Sequence, residues 1–214
     1  MAEQHRQIRA VYDDETITVY QAYNESIANA AVQQQRLSAS PLFLTRRTWI
    51  KPSWNWMMYR SGYSYKDANQ SNILALKIKR SFFEKLLMAA VLTNAKDVKR
   101  DEMTVSVQWD PERNVRIGRL DEGTKGVRGS GAPGVRSIQI GIPAMRNQDW
   151  LDEGIVGIED VTWRARELKR VLDDSRENKT SLSEKDLVKM GLIPEEKIYV
   201  LPEEVAKVVG ITGG

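Results

Sequence analysis

The residues best equipped for chemistry crowd into one stretch. From Arg46 to Tyr63 the chain reads RRTWIKPSWNWMMYRSGY, with Trp49, Trp54 and Trp56 set among Arg46, Arg47, Lys51 and Arg60. Aromatic faces stack planar rings, and lysine and arginine pair with phosphate oxygens. Lys51, Arg60 and Arg46 bordering an aromatic wall therefore suit a base and its phosphate. A second reading stands beside this one. Tryptophan and methionine at helical spacing also build cores, and Trp54, Met57 and Met58 fall on one side of a helix. That reading leaves the cations unexplained, because lysine and arginine are seldom fully buried without a partner.

Further candidates lie outside the stretch. Tyr20, Gln21 and Tyr23 sit where a strand hands over to a helix, a place where backbone donors and polar side chains converge. Arg136 and Ser137 stand at the mouth of a later strand that carries Gln139. Other chemistries are cut off by composition. There is no cysteine, and the single histidine, His5, lies in a polar N-terminal tail. Thiolate chemistry is excluded. A His-rich zinc site, a His-based triad and a tuned core imidazole are excluded too, unless His5 folds back. No tight acidic cluster advertises a magnesium site, so no metal is expected.

Several elements must position these residues. Residues 6–23 alternate as two strands around Asp13-Asp14. Asn24 caps a helix carrying Ile27, Ala30, Ala31 and Leu37 inward. Pro52 and Ser53 open the central helix, with Trp56, Tyr59 and Arg60 on its second side, and Ser61-Gly62 close it. Lys51 then stands at the helix entrance, where orphan N–H groups and the dipole favour an anion. Asn72–Lys79 is a strand, and a helix follows from Arg80 to Leu92 with an apolar stripe of Phe82, Phe83, Leu86, Leu87 and Ala90. Met103–Trp109 alternates, Asp110-Pro111 turns it, and Val115–Leu120 pairs back. Residues 121–134 are glycine-rich and expected to be an exposed, mobile connection, since the glycine-lysine-serine spacing of a phosphate loop is missing. Val135–Ile142 and Ile155–Val161 are strands, expected in one sheet region with Tyr20–Tyr23 and Asn72–Lys79. A charged helix runs through Leu172, residues 173–183 are polar linker, and short helices near Glu184 and after Pro202 flank an extended IYVL.

At 214 residues this is one domain with a small appendage: residues 1–172 as the main α+β domain, and 173–214 as a helical and extended appendage packed on it. The net charge of +3 is finely mixed along the chain, which argues against a duplex-DNA binder. No apolar run is long enough for a membrane span and the start is polar, so a cytoplasmic protein is expected. The oligomeric state is not legible.

RAVYDDETITVYQAY, TWIKPSWNWMMYRSGY, NILALKIKRSFFEKLL, VQWDPERN and RSIQIGI together resemble domain-of-unknown-function family 4291 of bacteria and fungi, over roughly Arg6 to Thr162. That name carries no activity. At the level of fold, a strand ending VYQA before a helix, then LALKIK, RSIQIGIP and IVGIEDV, is similar to ADP-ribosyltransferase-like folds, which RNA 2′-phosphotransferases share. The resemblance implies a split, mostly antiparallel sheet with flanking helices and an NAD-using transferase acting on a nucleotide, an RNA end or an RNA 2′-phosphate. It implies that Gln21 and Tyr20 hold the nicotinamide ribose, and that Trp54 or Trp56 stacks a ring. Lys51, Arg60 and Arg136 would pair phosphates, with Tyr23, Ser53, Tyr59 and Gln139 completing the cofactor site. The chain departs from the pattern in two ways. Gln21 replaces a histidine or arginine, and the strand that usually carries the catalytic glutamate offers Arg136, Ser137 and Gln139. A non-catalytic nucleotide or single-stranded RNA binder is the alternative, and a purely structural or partner-binding protein a third.

Overall fold

The computed structural model describes residues 6–43, 47–94, 104–120, 134–144 and 153–211. The expectations for His5, Arg46 and residues 121–133 fall outside them. Among the described residues the chain is α+β, with six α-helices and open, mostly antiparallel sheets. The strands are β1 (Arg9–Ala10), β2 (Thr16–Tyr23), β3 (Thr48–Ile50), β4 (Asn72–Lys79), β5 (Ala90–Leu92), β6 (Val105–Pro111), β7 (Arg136–Ile142), β8 (Ile155–Asp160) and β9 (Lys197–Ile198). The helices are α1 (Glu25–Gln34), α2 (Trp54–Ser61), α3 (Arg80–Met88), α4 (Thr162–Glu177), α5 (Glu184–Lys189) and α6 (Glu203–Val208).

Local chemistry sets several boundaries. The Asp13 carboxylate accepts from the backbone N–H of Glu15 and Thr16 and from the Thr16 hydroxyl, which closes the turn into β2. Those bonds hold its carboxyl well below the usual carboxylate range. Asn24 caps α1 by accepting from the Ile27 N–H. Strands β2, β4 and β8 form one antiparallel sheet with β4 central. A second sheet runs β3-β7-β6-β5, and β1 pairs with β9. Val135–Ile142 therefore lies in a different sheet from the other three expected strands. An antiparallel bridge joins the two larger sheets: Tyr20 N–H donates to Lys51 O at 2.7 Å, and Lys51 N–H donates to Tyr20 O at 3.0 Å.

The pleat of β2 feeds two cores. Successive strand side chains point to opposite faces. Ile17, Val19 and Tyr23 enter a core with α1, α3, α6 and the second sheet. Tyr20 and Ala22 enter another with α2, α4 and α5. The stretch after residue 172 contributes to both, Leu187, Leu192 and Ile193 to the second, Tyr199, Leu201, Val205 and Val209 to the first.

Four boundaries differ from expectation. Helix α3 stops at Met88, and Ala90–Leu92 leaves as a strand parallel to β6. A short apolar run fits helix and strand equally, and pairing with β6 decides it. Strand β6 continues through Asp110-Pro111, opposite Ser137 and Arg136, because a proline at a strand's last position forfeits little of the ladder. Val115–Leu120 returns only locally, through Asn114 N–H to Gly118 O and Leu120 N–H to Glu112 O. Helix α4 runs to Glu177. The polarity that reads as linker is its wet face, where Lys169–Asp173 and Arg170–Asp174 pair one turn apart.

Candidate functional site

Helix α2 walls the site, and its ends obey capping rules. Ser53 Oγ accepts from the Trp56 N–H at 3.2 Å, and Gly62 ends the helix at φ 55°, a conformation that favours glycine. Trp54, Met57 and Met58 all lie in the second core, so the core reading holds for them. Trp56, Tyr59 and Arg60 face the other way, into a cleft of about 770 Å³. The cleft opens beside the Tyr20–Lys51 bridge and is lined by residues of both larger sheets. Gln21 and Lys51 line it from the bridge, Trp49 from β3, Gln108 and Asp110 from β6, and Gln139 from β7. Asp67, Asn69 and Gln70 close one side, Arg113 and Arg119 another.

Lys51 is 4 % exposed, and its ammonium end sits between acceptors. Nζ donates to Gln21 Oε1 at 3.1 Å and to Trp49 O at 2.6 Å. Burial, with Arg60 adding repulsion, brings its pKa down to about 7 from 10.5, against the pull of Asp110. Asp110 is held across β6 and β7: Gln108 Nε2 donates to Oδ1 at 2.9 Å and Gln139 Nε2 to Oδ2 at 2.6 Å. The Trp56 and Tyr59 rings lie 5.1 Å apart at 33°. The Arg113 guanidinium covers the Tyr59 ring at 3.7 Å. Trp56 Nε1 and Arg113 Nε are buried without a hydrogen-bond partner among the described residues. Trp49 rests on Gly141 across the β3–β7 pair, so close that a Cβ there would stand 2.9 Å from the ring. Arg47 is spent on structure, donating to the Thr104 and Gly141 carbonyls and the Ser106 hydroxyl.

The structure thus gathers Gln21, Lys51, Trp56, Tyr59, Arg60 and Gln139 into one cleft and leaves the other expected site residues elsewhere. Tyr20 points away from Gln21 by the strand's period, packs edge-on to Trp54 at 5.2 Å, and its phenol is pushed up by burial. Tyr23 is buried in the first core with its hydroxyl against Thr48 Oγ1 at 2.9 Å. Arg136 stands at the far end of β7, opposite Pro111, and does not line the cleft.

The N-terminus of α2 offers unpaired N–H donors, and the protein supplies the acceptors as carboxyl oxygens. The Trp54 N–H donates to Glu196 Oε1 at 2.5 Å from 142 residues along the chain. Ser53 Oγ donates to Glu112 Oε1 at 3.0 Å, and the Arg113 N–H donates to the same oxygen at 2.8 Å. Ser53 and Trp54 therefore line a different cavity, of about 450 Å³, with Glu112, Glu196 and Arg9. Burial raises both carboxyls, Glu196 to about 8, with Glu112 pushing it further up. Glu196 retains some exposed surface as a residue, while its carboxyl is enclosed by protein.

Sequence reasoning places Trp49 in the aromatic stretch without giving it a role in the site, and misses Gln108, Asp110 and Arg113 in the cleft. Asp110 was hidden by its proline, which reads as a turn. Gln108 and Gln139 are directly opposed in the β6–β7 register, and no local signal encodes that pairing. Among the described residues, no group of three or more His, Cys, Asp or Glu side chains is placed to hold a metal ion. Nor is any described helix long and apolar enough to cross a membrane.

A family model described as a domain of unknown function (DUF4291) matches residues 7–199, a span that runs from β1 through β9 and contains both cavities. No curated protein matches the chain.

Proposed function

We propose a function on the premise that the chain belongs to the DUF4291 family, whose name carries no activity. The cleft binds a phosphate-bearing nucleotide, NAD in its fullest form. The protein acts as an NAD-using transferase of the ADP-ribosyltransferase-like class, on a nucleotide, an RNA end or an RNA 2′-phosphate. The supporting observation is the grouping of Lys51, Arg60, Arg113 and Arg119 with the Trp56 and Tyr59 rings in a cleft lined from both larger sheets. Three guanidinium groups face the carboxylates of Asp67 and Asp110, so the lining is net positive even with Lys51 uncharged.

In this reading the ligand's planar ring displaces the Arg113 guanidinium from the Tyr59 face and stacks beside Trp56, and Arg113 joins Arg60 on the phosphate oxygens. Gln21 and Gln139 offer amides to the nicotinamide and its ribose. Asp110 supplies the carboxylate that the β7 sequence lacks. A negative charge fixed beside the ribose stabilises the positive charge that develops at its C1′ carbon. The C1′–nitrogen bond breaks, nicotinamide leaves with the electron pair, and an acceptor oxygen bonds to C1′ and loses its proton.

One observation favours the alternative of a binding protein without catalysis. Both Asp110 oxygens already accept hydrogen bonds from glutamines, as in a purely structural carboxylate. The two readings separate in one experiment: calorimetric titration with NAD, ADP-ribose, ATP and short single-stranded RNA, with nicotinamide release followed by chromatography. NAD binding with release of nicotinamide is the expected outcome. Binding without release leaves the non-catalytic reading, and binding of none of the four overturns both.

A further inference from the structure

We infer that Lys51 is a carbonyl-reactive amine: its Nζ condenses with the open-chain aldehyde of a phosphorylated sugar held in the cleft. The phosphate half of this inference rests on the nucleotide reading above.

The hydrogen-bond pattern carries the argument. Both partners of Nζ, Gln21 Oε1 and Trp49 O, are acceptors, and among the described residues it makes no third hydrogen bond. An ammonium has three N–H donors, whereas a neutral amine has two and a lone pair. Both acceptors are uncharged, and among the described residues no carboxylate is hydrogen-bonded to Nζ, so an ammonium here has no counter-charge in contact while a neutral amine has both N–H groups satisfied. Lys51 also lines the cleft, which brings that amine to a ligand held there. A surface lysine keeps its charge in water; Lys51 is almost fully enclosed. The charged groups facing it are Arg60 from α2 and Asp110 from β6, with Arg113, Arg119 and Asp67 on the remaining walls. Burial and Arg60 together place its titration near neutrality, which agrees with the geometry.

An uncharged, enclosed lysine is the nucleophile of imine chemistry. The aldehyde is the fitting electrophile, because its adduct expels only water. Nζ bonds to the carbonyl carbon and one N–H proton moves to the carbonyl oxygen. The hydroxyl of the carbinolamine then leaves with the second N–H proton as water, and the C=N bond closes. Asp110 is the cleft carboxylate able to relay that proton. Arg60 and Arg113 select a substrate that also carries phosphate.

The test is labelling of the full-length protein with pyridoxal 5′-phosphate, an aldehyde bearing a ring and a phosphate, followed by borohydride reduction and peptide mapping by mass spectrometry. Near neutral pH, Lys51 is expected to react roughly tenfold or more faster than exposed lysines such as Lys66 and Lys185. Its labelling rises through about pH 7. Pyridoxal without the phosphate reacts more slowly there, and added ATP protects. Labelling of Lys51 no faster than of Lys66 overturns the inference. Equal rates with pyridoxal and its phosphate overturn the phosphate half. ATP binding by calorimetry without fast labelling sinks the amine and leaves the nucleotide reading intact. Fast labelling without binding of any nucleotide does the reverse. Lys51→Met removes the labelled peptide, and because the rates are read on the natural chain the result does not depend on that variant folding.

Discussion

Helix α2 separates two cavities that solve one problem in opposite ways. On its Trp56–Arg60 side, a buried lysine donates to uncharged acceptors and shares its cleft with guanidinium groups. At its N-terminus, buried carboxyls are surrounded by donors. The difference follows the polarity of the helix. Its first turn offers unpaired N–H groups, and Glu196 and Ser53-bound Glu112 take up that positive end internally. Arg60, near the other end, is left for the cleft. The general lesson is that a donor-rich helix start identifies a ligand site only when the chain has no carboxyl group of its own to fill it.

This contrast breaks most visibly at its shared wall. Trp54 is 1 % exposed and belongs to the second core. Trp54→Ala is expected to cost about 3–5 kcal/mol in chemical denaturation, the usual range for emptying a buried tryptophan site. Trp56→Ala costs less, since its ring already borders open space. Equal losses would mean that the two faces of α2 are not different in kind.

The pH dependence of stability is the next largest effect. Glu196 holds its proton in the fold up to about pH 8, while the unfolded chain releases it near 4.5. The folded state therefore binds the extra proton, and stability falls as pH rises through that window. Lys51 works in the other direction. The unfolded chain keeps its proton to 10.5 while the fold releases it near 7, so stability rises with pH over that range. Glu196→Gln should flatten the acid-side limb and gain about 1–3 kcal/mol at alkaline pH, discounted for the partial exposure of the residue. Lys51→Met should flatten the alkaline limb instead. Urea titrations across pH read both, and an unchanged profile in either variant would remove that group from the contrast.

Arg60→Ala sharpens the comparison through binding. It is expected to keep the fold and weaken ADP-ribose by about 1–3 kcal/mol, the range for hydrogen bonds to charged groups. The loss should shrink as salt rises. Unaltered calorimetric affinity would take Arg60 out of the site. The smallest effect belongs to the rim of the acidic cavity. Glu184→Gln and Lys185→Ala should each shift stability by no more than about 0.5 kcal/mol and leave ADP-ribose binding alone. A larger change in binding would show that the cavities communicate.

What the sequence made legible was local. Asn24, Ser53 and Gly62 announce their roles through capping chemistry, and β4, β7 and β8 through apolar alternation between turn signals. The division of α2 into a core side and a cleft side also follows from its period. Long-range pairing was not legible. Nothing near Trp54 predicts Glu196, and nothing near Gln139 predicts Gln108 or Asp110. The strand period alone separates Tyr20 from Gln21, whatever the fold.

The missing side chain at Gly141 has a consequence of its own. Because Trp49 occupies that space, the ring acts as a plug whose seat is empty backbone. Even the methyl group of Gly141→Ala would unseat it, and the nearest room is the cleft it borders. The width of the opening is therefore adjustable by one carbon atom placed on the neighbouring strand, with every charge and every hydrogen-bonding side chain left as it was. Such a change would act as an aperture stop, trimming the bulkiest ligands first and leaving the smallest untouched.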